Sequence, residues 1–197
     1  MKSFSPLFDE LQRSLQVLPG VGPRSAQRMA LNLIERTPSE ASKLATVLAQ
    51  ALRDISHCHT CYVLSESETC QICADPKRDA HRLMVVESPG QLMAFERAGL
   101  HDGHYFVLNG LISPLDGISP DQVRIPQLLK RVGDGVTEVV LALTSSVEGE
   151  ATAHYIKAQC PGVTLTRLAR GIPMGGDIES LDPNTLELAL GARESWS

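Results

Sequence analysis

Two Cys-x-x-Cys pairs constrain this chain more than any other stretch. Cys58-His59-Thr60-Cys61 is followed, after eight residues, by Cys70-Gln71-Ile72-Cys73. Each pair sets two thiolates on one tight turn. Two such turns facing each other offer four soft sulfur ligands in a tetrahedron, the donor set that suits zinc. No open position remains on such an ion, so the spacing predicts about one structural zinc per chain, held by Cys58, Cys61, Cys70 and Cys73. Two disulfides or four free thiols are the alternatives, and His57 and His59 stand beside the first pair as substitute ligands. The knuckle also divides the chain: the residues before it read as helical, those after it as alternating strand and helix.

Length and charge narrow the rest. At 197 residues the chain can build one sizeable core plus a small appendage. The net charge is -5, unevenly spread. Residues 1–57 hold seven basic and five acidic side chains, while residues 81–197 hold nine and fourteen. A basic patch for nucleic acid therefore has to lie near the N-terminus. Aromatic residues are 4% of the chain, too few for base-stacking platforms. No apolar run is long enough to span a membrane, and Lys2 leads into an amphipathic, charged segment rather than a signal peptide. Cysteines in a metal pattern suit a reducing, cytoplasmic setting. The fifth cysteine, Cys160, is expected as a packed or partly exposed thiol at a helix end.

Leu7, Phe8, Leu11, Leu15 and Leu18 recur at helical spacing. Leu18-Pro19-Gly20-Val21-Gly22-Pro23 breaks that helix, and Pro23 suits the first turn of the next, which runs through Ala26, Met29, Ala30, Leu33 and Ile34. The arrangement resembles a helix-hairpin-helix DNA-binding motif. Gly20 and Gly22 let a phosphate approach the backbone, and the amides opening the second helix favour an anion. Arg24 and Arg28, one turn apart, can reach the same strand backbone. Such contacts read phosphates and not bases. An ordinary αα-turn with solvated arginines is the alternative. A third helix comes next, with Ser39 as its N-cap and one apolar face of Ala41, Leu44, Ala45, Leu48, Leu52 and Ile55, expected to pack on the hairpin.

Beyond the knuckle, the apolar run Leu83–Val86 reads as a buried parallel strand, Tyr105–Leu108 as a second strand, Val139–Leu143 as a third, buried one, and Val163–Leu168 as a fourth. Helices are expected from Ser88-Pro89 to about Ala98, around Ile125–Val132, and from Ala151 to Gln159. A Gly/Pro/Asp-rich loop fills Asn109–Pro120, and Asn184–Ala192 reads as a short amphipathic helix. Alternating strand and helix makes a parallel sheet with ligands at its strand ends, where Glu87 and a Glu148-Gly149-Glu150 loop fall.

Val85-Val86-Glu87-Ser88-Pro89 resembles the first motif of Toprim domains, and Val147-Glu148-Gly149-Glu150-Ala151 the tail of the second. Active Toprim enzymes begin the second motif with two aspartates; the matching positions here are Thr144 and Ser146. The ordered set of motifs resembles the bacterial RecR family of recombination mediators over nearly the whole chain. The set comprises the hairpin Leu18–Met29, the four cysteines, Val85–Pro89, Gly110–Gly117, Val147–Ala151 and Gly171-Ile172-Pro173-Met174-Gly175-Gly176. Thr144-Ser145-Ser146 departs from the Asn-Pro-Thr found there in some members.

The resemblance implies an α/β chain in four parts. These are a helix-hairpin-helix unit at 1–56, a zinc finger at 57–76, a Toprim-like domain at 80–170, and a glycine-rich segment with a helix at 171–197 that contacts another subunit. It implies a non-catalytic, DNA-binding component of recombinational repair that works with RecO and RecF to load RecA on single-stranded DNA, as a dimer or ring-like tetramer. Single- and double-stranded DNA would be bound without sequence preference, through Gly20, Gly22, Arg24 and Arg28. Glu87, Glu148 and Glu150 would form an acidic rim for a protein partner, with at most weak magnesium binding. A magnesium-dependent Toprim enzyme (a nuclease, primase or topoisomerase-like transferase) is the alternative, as is a pure protein adaptor. No tyrosine is obviously placed as a nucleophile; packing accounts for Tyr62, Tyr105 and Tyr155.

Overall fold

The structure is a computed structural model that describes residues 5–169 and 171–193. Lys2 and the ends of the expected parts at 170 and 194–197 lie outside the described residues. The chain divides after Ile55 into two compact units.

In the first unit, α1 (Pro6–Leu15) starts where sequence chemistry places it. Ser5 Oγ accepts the Phe8 N–H at 3.3 Å, and Pro6 occupies the first helical position. Gly20 takes a left-handed φ of 78°, and α2 (Pro23–Leu31) begins with Gly22 as N-cap. A π-helical turn, Asn32–Arg36, closes it. Small buried residues, Ala26 and Ala30, let α1 pack closely on α2, with Phe8 also buried. The third helix, α3 (Pro38–Asp54), is capped by Thr37 and not by Ser39, whose hydroxyl instead meets Glu40. Pro38 explains the shift: with its fixed φ it takes the first helical position and pushes the cap back to Thr37. The principal contact of α3 is with the π turn, and none of its 17 residues is buried. Its apolar stripe therefore stays open, with Leu52 77% exposed.

The second unit opens with a short antiparallel hairpin, β1 (Ser56–His57) and β2 (Leu64–Ser65), followed by a one-turn helix, α4 (Gln71–Ala74). Next comes a four-stranded parallel sheet, made of β3 (Asp79–Val86), β4 (Gly103–Val107), β5 (Glu138–Ala142) and β6 (Thr164–Arg167), ordered β4-β3-β5-β6. The central strand reads as a continuous apolar run because both its faces are covered. On one face Leu83, Val85, Phe106, Val139 and Leu141 meet α6 (Ile125–Gly133) and α7 (Val147–Gln159). On the other, Met84, Val86, Tyr105, Val107 and Ala142 meet α5 (Pro89–Ala98) and the knuckle residues Val63 and Ile72. Cys160 caps α7 and is buried in the first of these cores. A last helix, α8 (Pro183–Gly191), is capped by Asp182, whose carboxylate accepts the Thr185 N–H at 3.1 Å.

Helix α7 starts earlier than the sequence suggests. Ser146 Oγ accepts the Gly149 N–H at 3.1 Å, so Glu148, Gly149 and Glu150 form the first helical turn and not a loop. Acidic residues favour that end of a helix.

Two buried histidines mark the start of β4, His101 just before it and His104 within it. His101 shares a hydrogen bond with the His104 carbonyl at 3.0 Å, and Arg131 donates to His104 Nδ1 at 3.2 Å. Burial, and then the arginines around them, hold both imidazoles below their ordinary pKa of 6.5. Their neutral forms are the ones the fold accommodates. Stability from this pair is complete above about 6.5 and is lost as pH falls through the depressed folded values. Urea unfolding at pH 7.5 and 5.5 should show a steeper acid loss in the wild type than in a His101→Gln/His104→Gln variant.

Candidate functional site

The four cysteines converge. Their sulfurs all lie within 4.8 Å of one another, and Cys58, Cys61 and Cys70 are buried. No disulfide joins them. Sulfurs bound at about 2.3 Å to one tetrahedral zinc stand about 3.8 Å apart, and Cys61 Sγ lies 3.5 Å from Cys70 Sγ. The Cys70 N–H donates to Cys58 Sγ at 3.3 Å, and the Cys73 N–H to Cys70 Sγ at 3.5 Å. Such N–H···S contacts favour thiolates. Hydrogen bonding with Cys73 pulls the Cys61 thiol down to about 6, while burial pushes Cys70 up to about 11. Bare sulfurs this close resist full deprotonation, and a dication would relieve that repulsion. The donor set therefore fits zinc. His57 and His59 are exposed and stand outside the cluster.

The knuckle is joined to the sheet by its own backbone. The Leu108 N–H donates to Val86 O on β3, so the Val107 N–H points to the outer side of β4, where Cys61 O accepts it at 2.8 Å. Arg124 reaches Val107 O at 3.5 Å and lies 4.8 Å from the centre of the Tyr62 ring. Tyr62 itself takes a left-handed φ of 63° and meets Phe106 edge-on at 5.4 Å. Packing thus accounts for Tyr62, as the sequence suggests. Neither the Cys61 carbonyl nor Arg124 carries a sequence signature.

In the hairpin, Gly20 and Gly22 have open space where a side chain would stand, so their surface admits a close approach. Gly22 caps α2 without any side-chain hydrogen bond, which leaves the first amides of that helix free of such a cap. Arg24 and Arg28 are both exposed on α2.

At the carboxyl ends of the strands, the three glutamates take different roles. The Glu87 carboxylate accepts the Thr144 backbone N–H. Glu150 pairs with Arg167 at 3.2 Å on the rim of a small cavity of about 180 Å³ between β5, β6 and α7. Glu148 is partly exposed beside Val147. Glu87 thus stands at the end of β3, and Glu148 and Glu150 stand on the first turn of α7. Among the described residues, the four cysteines are the one group of three or more His, Cys, Asp or Glu side chains placed to hold a metal ion. Gln91 is the residue that sequence reasoning missed: its Oε1 accepts the Glu87 N–H at 2.8 Å, and its Nε2 reaches Thr144 Oγ1 at 3.5 Å. A signal existed in Ser88-x-x-Gln91, a capping-box spacing in which Ser88 Oγ accepts the Gln91 N–H.

Comparison with known proteins agrees with this geometry. Residues 8–52 match a family model described as RecR, helix-hairpin-helix; residues 81–169 match the Toprim domain; residues 171–194 match RecR, C-terminal. The Recombination protein RecR of Stutzerimonas stutzeri (strain A1501) is 48% identical, with 99% of each chain covered. That of Saccharophagus degradans (strain 2-40) is 44% identical over 97% of this chain and 98% of the relative.

Elemental analysis of protein purified without chelator should find about one zinc per chain. Cys70→Ser should lower that occupancy and expose the knuckle to proteolysis while α5–α7 stay protected. Zinc-free protein that is fully folded would refute the assignment.

Proposed function

The chain belongs to the RecR family, and from that premise we propose that this recombination protein is a non-catalytic DNA-binding scaffold. It acts with RecO, and with RecF, to promote RecA loading on single-stranded DNA at gaps and breaks. The observation that carries the reading is the hairpin, where two open glycines, a helix N-terminus and two exposed arginines stand together. Backbone amides and a helix dipole favour phosphate, and Arg24 and Arg28 add charge without reading bases. Single- and double-stranded DNA are both within reach of such a surface. Zinc at Cys58, Cys61, Cys70 and Cys73 is structural in this reading and takes no part in chemistry.

The absence of turnover is supported by what stands at the strand ends. Magnesium-dependent phosphoryl transfer uses carboxylates gathered on a metal. Thr144 and Ser146 stand where the aspartates of active Toprim enzymes would be, and Ser146 Oγ is engaged as a helix cap. The acidic rim of Glu87, Glu148 and Glu150 then serves a protein partner, through basic side chains on RecO or RecF. No helix among the described residues is long and apolar enough to cross a membrane, and the reading places the chain in the cytoplasm.

Self-association completes the proposal. The stripe of α3, with Leu44, Leu48 and Leu52, is exposed, and the segment from Gly171 to Arg193 has no buried residue. A dimer or ring-like tetramer covers them. Several weak hairpins on one ring also bind DNA together.

Arg24→Ala/Arg28→Ala should weaken binding to gapped DNA equally across sequences. The slope of log K against log salt should become shallower by about 0.9 per lost phosphate contact on duplex. RecA loading should fall with it, and an unchanged slope would exclude the hairpin as the site. Leu48→Glu/Leu52→Glu should shift sedimentation toward smaller species while leaving the zinc content unchanged.

A further inference from the structure

The winding of the sheet reverses between β3 and β5, since β4 lies on one side of β3 and β5 on the other. In sheets of this kind a ligand crevice opens at that point, outside the carboxyl ends of the strands. Here the crevice is bridged. Val86 and Ala142 are register partners, and just beyond them the Glu87 carboxylate accepts the Thr144 N–H. Gln91 braces both sides, with Oε1 on the Glu87 N–H and Nε2 on the Thr144 hydroxyl. The Toprim fold implies a divalent cation at this place, and the residues present do not fit one. Glu87 is committed to a backbone donor, neutral hydroxyls replace the paired acids, and among the described residues no group of three acidic side chains placed to hold an ion forms there.

The bridge bears directly on the start of α7. Thr144 O lies 2.0 Å from where a Cβ on Gly149 would stand, so the turn after β5 and the first turn of α7 are pressed together. Ser146 caps that same helical turn. Anything that fixes Thr144 also fixes the outward display of Val147, which is 82% exposed, and of Glu148 beside it. We infer that Glu87 is a positioning residue: its carboxylate clasps β5 to β3 through Thr144 and so aims Val147 and Glu148 at a partner that presents a basic side chain next to an apolar one. This rests on the proposed acidic rim and divides it, leaving the charged contact to Glu148.

The test uses the full chain and RecO. Amide exchange at Thr144 should be slow in the wild type and in Glu87→Gln, whose amide oxygen still accepts. It should be faster by about tenfold in Glu87→Ala, the factor that a loss of about 1.4 kcal/mol produces. Millimolar magnesium should leave the Thr144 exchange rate unchanged. RecO affinity should be near wild type in Glu87→Gln, reduced in Glu87→Ala and reduced most in Glu148→Lys. Equal Thr144 exchange in wild type and Glu87→Ala overturns the clasp. Affinity as weak in Glu87→Gln as in Glu148→Lys also overturns it, since charge and not position would then matter. Loss of Thr144 protection in Glu87→Ala with full RecO affinity in Glu148→Lys upholds the clasp and removes the partner reading alone.

Discussion

Four sulfurs held within one small sphere set the geometry on which the sheet unit depends. They fix a loop of 16 residues, and that loop does more than carry an ion. It places Val63 and Ile72 on one face of the sheet, and it delivers the Cys61 carbonyl to the outer side of β4. A segment so short and so polar could not bury enough apolar area to hold this path alone. The cluster, the hydrophobic face and the strand edge are therefore one construction, and a disturbance at the cysteines is felt first at Val107.

The contrast with the N-terminal unit is one of burial. There, among the described residues, Phe8, Ala26 and Ala30 are the buried apolar ones, and α3 contributes none. A small helical unit with so few buried side chains is marginal by itself. The apolar stripe of α3 has the spacing of a packed helix, yet none of its residues is buried, so the unit that carries the hairpin is the least self-sufficient part of the described chain.

Much of this was legible in the sequence because local chemistry and tertiary structure agree. Ser88-Pro89 opens a helix, Gly20 takes the left-handed turn, and Leu83–Val86 is apolar throughout because helices cover both faces. The paired cysteines name their own geometry. What escaped had either a misleading signal or none. Glu148-Gly149-Glu150 reads as a loop because glycine is a poor helix former, although Gly149 is there for its closeness to Thr144 O. Ser39 reads as a cap, but Pro38 moves the cap to Thr37. The bond from Thr144 N–H to Glu87 uses a backbone donor 57 residues away, and main-chain donors leave no trace in a sequence. The cysteines pointed to a cluster fit for a metal, and nothing in them revealed that a carbonyl between them would be spent on a strand.

That carbonyl determines how many open borders the sheet has. A parallel sheet of four strands has two edges, and each exposed edge is a template on which another chain can pair. At Val107 the outer N–H is taken by Cys61 and the outer carbonyl by Arg124, whose guanidinium in turn rests on Tyr62. The edge at β6 is only four residues long. A metal held in the knuckle would keep that carbonyl in place and so guard the β4 edge at Val107 against pairing with another strand. A chain stripped of its ion would betray itself by clumping before it betrayed itself by unfolding.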